Sequence, residues 1–343
     1  MPNRVRVGVG GPVLLLAAVT VAACGSSTGG STSGQTLQTN PDGTPKLNGE
    51  TIRIAVGAAP AVGDTRAQLI VDTLNGWGAK ASIVNQTGDP AAVRVTLSGD
   101  AEISSIAVSG AINSGLKVFG PSQPRLDYDF MGAPDLKSIS DLPGKTYGTS
   151  NTHGVEALSL AALLDKHNID PSSVTVTQAG GAGERVSAML AGHLDATFVH
   201  ADAVKRLTDA GFNDLAKMST TAPQLADSFL AASDRWLTAN PALAVAVDEA
   251  WIKAAQIFND DKAAWVAAAM RYSKVTKEDA EANYEALKAA DTFPVSRSAF
   301  SEQSAVDQEK LAKDVGAIDT APPADKWLTT EPWDKATDAL GIT

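Results

Sequence analysis

Residues 93–102 read Val-Arg-Val-Thr-Leu-Ser-Gly-Asp-Ala-Glu, and residues 186–195 read Val-Ser-Ala-Met-Leu-Ala-Gly-His-Leu-Asp. Val, Leu, a small residue, Gly and an acid keep their spacing in both. Each stretch reads as a helix that stops at Gly99 or Gly192, where a left-handed backbone costs glycine least, followed by a strand. Any helix–glycine–strand junction has this look, so the surroundings decide whether the two are equivalent. Before the first, 52–56 is a short apolar strand, 64–77 a helix carrying Leu69, Ile70, Val71 and Leu74, and 81–84 a second strand. Pro90 opens the helix that ends at Gly99, and 102–106 is a third strand. Before the second, 145–148 is a strand, 153–167 a helix with Leu160, Leu163 and Leu164 on one face, and 174–177 a strand. A helix at 184–191 and a strand at 195–199 complete it. Both read β-α-β-α-β, which implies parallel strands with crossover helices. The fold class is therefore α/β.

Between the halves, residues 130–146 are punctuated by Gly132, Pro134, Pro143 and Gly144 and read as a crossing strand and turn. A second crossing is expected near 229–232, and the chain beyond it is mainly helical. Asn240-Pro241 starts a long helix through Val245, Val247, Trp251, Ile252 and Ile257, with proline at its first position. Others cover 261–273, 276–290 and 301–315. The last segment, around Trp327 and Trp333, reads as an extended tail. The body from 49 onward is long enough for two domains. The expected division is 49–133 for the first part of lobe 1, 134–228 for lobe 2 with its flanking crossings, and 229–343 for the return to lobe 1.

The leader has Arg4 and Arg6 and no acid before position 24. Its apolar stretch, densest at Leu14, Leu15 and Leu16, is short for a bilayer span and broken by glycine and Pro12, so it reads as an export signal over 1–23. Val21-Ala-Ala-Cys24 resembles the lipobox of bacterial lipoproteins, which implies a diacylglycerol on Cys24. That residue is the chain's one cysteine, so no internal disulfide can form. Residues 24–48 are Gly/Ser/Thr-rich and read as a flexible tether reaching roughly 25–30 Å. Removing residues 1–23 takes the two Arg and no acid, which moves the formal net charge from −11 to −13. A nucleic-acid partner, which needs a basic face, is excluded.

In an open parallel sheet, ligands bind beyond the carboxyl ends of the strands. Those loops are 57–64, 86–90, 104–109, 149–154, 178–184 and 200–203, and several lead into helix N-termini suited to an anion. Two domains joined by two crossings face such loops across a cleft that closes by a hinge. The ligand-binding candidates are Ala59, Asp64, Arg66, Ser104, Ser105, Ser150, Asn151, Thr152, His153, Gly181, His200 and Asp202. Arg66 suits a carboxylate or sulfonate, or is a solvated helix residue. Asp64 suits the amine of a zwitterion, or is an N-cap. One of Ser104 and Ser105 faces the ligand while the other packs. One residue of Ser150-Asn-Thr-His153 caps a helix and the rest point into the cleft. Gly180-Gly-Ala-Gly183 lacks the lysine of a phosphate loop. The histidines at 153, 167, 193 and 200 have no metal-ligand spacing, and no nucleophile–base set is readable, so neither metal, cofactor nor enzymatic activity is expected.

Leu142-Pro-Gly-Lys-Thr-Tyr-Gly148 resembles a segment of the type 2 periplasmic binding proteins of ABC importers. The stretch 161–195, with Leu-Leu-Asp-Lys-His-Asn-Ile-Asp-Pro-Ser-Ser-Val, is similar to their SsuA/THI5-like (NMT1) branch, and Trp236-Leu-Thr-Ala-Asn-Pro241 fits as well. The resemblance covers most of 50–290. It implies a two-lobed Venus-flytrap fold with a central cleft and a helical C-terminal region. It also implies a monomeric receptor, anchored through lipid at the outer face of the cell membrane, that hands a small anion or zwitterion to an ABC permease and its ATPase. Family ligands include sulfonates, taurine, nitrate, aromatic acids and thiamine-pyrimidine precursors. The first loop, 57–64, lacks the aromatic residue often found there. A THI5-like enzyme, a TRAP-type receptor or a sensor remain as alternatives.

Overall fold

The structure, a computed structural model, describes residues 37–57, 60 and 64–343, without the side chains of residues 201 and 202. The export signal, Cys24, most of the tether and Ala59 lie outside the described residues. Strand β1 (Thr51–Val56), helix α1 (Thr65–Gly76), β2 (Lys80–Asn85), α2 (Asp89–Ser98) and β3 (Ile103–Ile106) form the first β-α-β-α-β unit. Next come α3 (Val108–Ser114), β4 (Lys117–Gln123) and β5 (Tyr128–Gly132). The second unit is β6 (Thr146–Thr149), α4 (Val155–Lys166), β7 (Thr175–Gln178), α5 (Ala182–Leu190) and β8 (Ala196–His200). After it come α6 (Ala201–Asp209), β9 (Asn213–Lys217), α7 (Met218–Thr221), β10 (Ser228–Ala232), α8 (Asp234–Ala239), α9 (Pro241–Asp260), α10 (Lys262–Ser273), α11 (Lys277–Ala289), α12 (Glu302–Asp314) and α13 (Glu331–Leu340).

The repeated stretches are equivalent. Gly99 and Gly192 both end their helices in the left-handed region, at φ 84° and 72°. The two sheets also share one plan. The first runs β2-β1-β3-β10-β4 and the second β7-β6-β8-β5-β9. In each, three parallel strands are followed by an antiparallel strand that comes from the other side of a crossing. The crossings differ from expectation. The chain leaves the first sheet at 124–127, so β5 belongs to the second lobe. It returns at 222–227, so 229–232 is the sheet strand β10. Phe130 and Met131 are buried side chains of a central strand, and the glycines and prolines after them mark that strand's end.

Two further expectations change. Residues 37–48 are folded in part: Thr39 bridges to Pro45 and Leu47 is fully buried in the first lobe's core. The C-terminal segment is not an extended tail, because Trp333 lies in α13, opened by Pro332 and closed by Gly341 at φ 64°. Trp333 packs edge-on against Trp251 of α9 at 5.5 Å between ring centroids. The first lobe is thus completed by the C-terminal helices, with Phe258, Trp265 and Phe293 as a second aromatic cluster. The second lobe has a smaller core around Phe130, Tyr147 and Phe198. Among the described residues no helix is long and apolar enough to cross a membrane.

Candidate functional site

Strand alternation decides what β3 offers. Ser104 points into the first lobe, fully buried, with its hydroxyl on Thr96 Oγ1 at 2.5 Å and on the Ala92 carbonyl at 3.3 Å. Its counterpart in the repeat, Thr197, is bonded under α5 in the same way, accepting from Arg185 Nε at 3.1 Å. Ser105 points the other way. Its Oγ lies 2.6 Å from Ser122 Oγ of β4 and donates to Ser228 Oγ of β10 at 3.3 Å. Of the pair in which the sequence expects one serine to face a ligand and the other to pack, Ser104 is the one packed into the lobe and Ser105 the one turned to the polar cluster.

Arg66, from the first turn of α1, reaches the same cluster. It donates to Gln123 Oε1 at 3.0 Å, Ser122 Oγ at 3.0 Å and Ser228 Oγ at 3.5 Å, and its guanidinium lies over Phe293. It is buried, so the solvated alternative is corrected. These three hydrogen-bond partners come from the ends of β4 and β10, the strands that lead into and out of the crossings. The crossings are themselves joined: Asp227 N donates to the Gln123 carbonyl at 2.9 Å. Asp127, in the first crossing, accepts from Gln123 Nε2 at 3.0 Å and lies 3.0 Å from His200 Nδ1 at the end of β8. Asp227 accepts from Tyr128 OH at 2.8 Å, and the Tyr128 and His200 rings sit 4.6 Å apart. Arg66, Ser105, Ser122, Gln123, Asp127 and Ser228 thus form a polar floor where the lobes join, and Asp64, Asp227 and His200 stand half-buried above it.

Burial sets the electrostatics of this place. It pushes the Asp64 carboxyl above its ordinary value, with Asp227 adding to the rise and Arg66 opposing it. It raises Asp227 as well, against the pull of His200. Burial acts the same way on Asp127, but His200 beside it and the hydrogen bonds it accepts bring that carboxyl below its ordinary value. Asp89, in the first turn of α2, is pushed up to about 6 by burial, although its Oδ2 accepts from Ala107 N at 3.0 Å.

The second lobe's loops are held from below by a buried ion pair. Glu156 Oε1 and Arg185 Nη2 are 2.5 Å apart, with side chains 8 % and 3 % exposed. The other carboxyl oxygen, Oε2, accepts from Ser150 N at 2.7 Å, Ser150 Oγ at 2.9 Å and Thr149 Oγ1 at 2.8 Å. Arg185 also donates to the Gly180 and Phe198 carbonyls. One pair thereby fixes the ends of β6, β7 and β8. Ser150, exposed at the end of β6, thus has both its amide and its hydroxyl hydrogen committed to Glu156. No residue of 150–153 caps α4, whose N-cap is Gly154. Asn151 Oδ1 accepts from His153 N, and Thr152 Oγ1 meets the His153 ring. The His153 carbonyl accepts from Ser109 Oγ of the first lobe at 3.4 Å, so the starts of α3 and α4 face one another across the join. Gly181 N is taken by Glu184 Oε2 at 2.7 Å. Asp64 holds the N-cap position of α1, as one sequence alternative has it, with no side-chain cap bond, and the Asp202 side chain lies outside the described residues.

The structure therefore brings Asp64, Arg66, Ser105 and His200 together, packs Ser104 into the first lobe and ties Ser150 to Glu156. Sequence reading missed Ser122, Gln123, Asp127 and Asp227. All four lie at or beside the crossings, and the acids at 127 and 227 were the available signal once the crossings were placed. It also missed Tyr272 of α10, whose hydroxyl accepts from Asn85 Nδ2 at 3.2 Å at the end of β2. That supplies an aromatic residue near the first loop from elsewhere in the chain. No group of side chains that could hold a metal ion occurs among the described residues.

Known proteins share this architecture. Residues 130–263 match the family model described as NMT1/THI5 like. No curated protein matches the chain. Among solved structures, a putative sulfonate ABC transporter periplasmic sulfonate-binding protein SsuA from Methylobacillus flagellatus KT superposes with a TM-score of 0.66 at 16% identity, over 86% of this chain and 96% of that one. The periplasmic aliphatic sulphonate binding protein SsuA from Escherichia coli gives 0.66 at 14% identity, over 82% and 92%. The ligand binding component of an ABC-type import system from Staphylococcus aureus gives 0.68 at 14% identity, over 84% and 99%. A desulfurization enzyme, DSZB, shares the fold at 0.54 and 11% identity, over 84% of this chain and 99% of that one.

Proposed function

We propose, from the NMT1/THI5-like segment at 130–263 and the two-lobed periplasmic-binding-protein fold around it, that the chain is an extracytoplasmic solute receptor of an ABC importer. The single observation that carries the reading is the polar floor at the crossings. Arg66, Ser105, Ser122, Gln123 and Ser228 link α1, β3, β4 and β10, while Asp127 and His200 extend the same network into the second lobe. Solute bound above this floor touches both lobes and favours their closed arrangement. The ligand class that the likeness brings is a small anion: a sulfonate, nitrate or a carboxylate. A zwitterion adds an amine that Asp64 can meet. The enzymatic alternative rests on the fold shared with DSZB, and among the described residues no nucleophile paired with a base supports it at this floor.

The test is ligand-induced stabilisation. A solute at 100 times its Kd raises stability by about 2.7 kcal/mol. A panel of sulfonates, carboxylates, nitrate, pyrimidines, amines and amino acids is expected to contain at least one that shifts the unfolding midpoint. Ser105→Ala is expected to weaken that solute about fivefold and to lower the unliganded midpoint by no more than about 2–4 °C, since one hydroxyl bond is worth roughly 1 kcal/mol. A panel that shifts nothing sinks the receptor reading.

The place of action is the outer face of the membrane, through lipid on Cys24, with the permease and its ATPase as partners and the receptor a monomer. Cys24→Ala is expected to release the protein from the membrane fraction, leave solute binding intact and reduce uptake. Fractionation of that variant with the membrane would refute the anchor.

A further inference from the structure

We propose that the cleft takes a small organic cation, a solute with an ammonium, amidinium or guanidinium group and no free acid group. This rests on the receptor reading above, and it departs from the anion that the family likeness suggests.

Among the described residues, three backbone donors beyond the strand ends are already in use. An anion in such a fold needs N–H groups from those loops and the positive ends of the helices they lead into. Here the chain's own carboxylates hold three of them. Ala107 N, before α3, is bonded to Asp89 at 3.0 Å. Ser150 N, before α4, is bonded to Glu156 at 2.7 Å. Gly181 N, at the start of α5, is bonded to Glu184 at 2.7 Å. An incoming anion must displace a tethered carboxylate at each of these points or bind without them.

Charge points the same way. The two buried guanidinium groups of the region are engaged with the protein. Arg66 donates to Ser122, Gln123 and Ser228, and Arg185 is paired with Glu156. The groups half-buried above the floor are Asp64 and Asp227, with Asp89 at the side and Asp127 behind His200. Burial raises the Asp64 carboxyl, Arg66 opposes that rise, and Asp227 lies close enough to add to it. A second anion placed there adds to that repulsion in a partly desolvated cleft. A cation relieves it and gains charge-assisted hydrogen bonds to two carboxylates. The rings of Tyr128 and His200 flank Asp227, and Tyr272 stands at the first lobe's edge, which suits the alkyl or quaternary part of such a solute.

The experiment uses the purified chain with propylammonium, choline and agmatine against propanesulfonate, benzoate and taurine, read by thermal shift and calorimetry. The expected result is binding by one or more of the three cations and by none of the acids. Asp64→Asn and Asp227→Asn are each expected to weaken the bound cation about 10–100-fold, the range of a lost hydrogen bond to a charged group, with the unliganded midpoint kept within a few degrees. Binding of propanesulfonate, benzoate or taurine instead overturns the charge assignment and leaves the receptor reading standing. Cation binding that survives both substitutions unchanged also overturns it. Failure of all six probes, together with failure of the wider panel above, overturns both readings.

Discussion

Arg185→Met is expected to cost the protein roughly 3–5 kcal/mol, the cost of removing one partner of a buried ion pair. For a body of this size that is a fall of about 6–20 °C in the unfolding midpoint, at roughly 2–4 °C per kcal/mol. Geometry is the reason. Glu156 and Arg185 are both almost fully covered, and between them they satisfy Ser150 N, Thr149 Oγ1, Thr197 Oγ1 and the Gly180 and Phe198 carbonyls. With Arg185 gone, Glu156 stays buried with its charge uncompensated, and three strand ends lose a common tie. The double variant Glu156→Leu/Arg185→Met removes both charges and keeps apolar volume, so it is expected to recover at least half of the loss. Thermal or urea unfolding of the single and double variants decides it. A double variant as unstable as the single one would show that packing, not pairing, sets the cost.

This pair also shows what the sequence can and cannot reveal. The repeat at 93–102 and 186–195 is legible because glycine at a helix end and an acid at a strand start leave a mark on each copy. The pairing of Glu156 with Arg185 leaves none. Both residue types belong on exposed helix faces, and only the folded chain brings the second position of α4 under the fourth position of α5. The crossings are hard to read for a related reason. Gly132, Pro134, Pro143 and Gly144 announce a break in the chain, but the break is the exit from β5, whose tight apolar run Phe130-Met131 is enclosed within the second sheet. The true crossing, 124–127, holds Leu126 and the charged pair Arg125 and Asp127, with only Pro124 as punctuation. A boundary placed at 130–146 hides Asp127, and a crossing placed on β10 hides Asp227. Arg66 is legible as a cleft candidate, yet its bonds to Gln123, Ser122 and Ser228 depend on two distant strands.

Asp248→Leu is expected to stabilise the protein by about 1–3 kcal/mol at pH 4, the cost of a buried polar group without a partner, and by more at neutral pH. Asp248 lies on the inner face of α9, fully buried, and neither carboxyl oxygen has a hydrogen-bond partner among the described residues. It is packed against Gly120 of β4, where a side chain of even one carbon would overlap the carboxyl group. Burial, with Glu249 adding to it, raises the Asp248 carboxyl well above its ordinary value of 3.8. Linkage gives the sign. Below about 3.8 the carboxyl is protonated in both folded and unfolded chains, and its contribution to stability is at its best. Above that value the unfolded chain releases the proton while the folded one keeps it. Stability is then lost at about 1.4 kcal/mol per pH unit until the folded carboxyl also ionises. Leucine has the same branched shape and no proton to hold, so its advantage should grow from pH 4 to pH 7. Gly120→Ala in the parent is expected to destabilise strongly, and Asp248→Ala in the same chain to restore part of that loss, because the two positions share one space. Unfolding measured against pH gives the answer. An advantage for leucine that is flat from pH 4 to pH 7 would mean that Asp248 is charged in the folded protein rather than buried as the neutral acid.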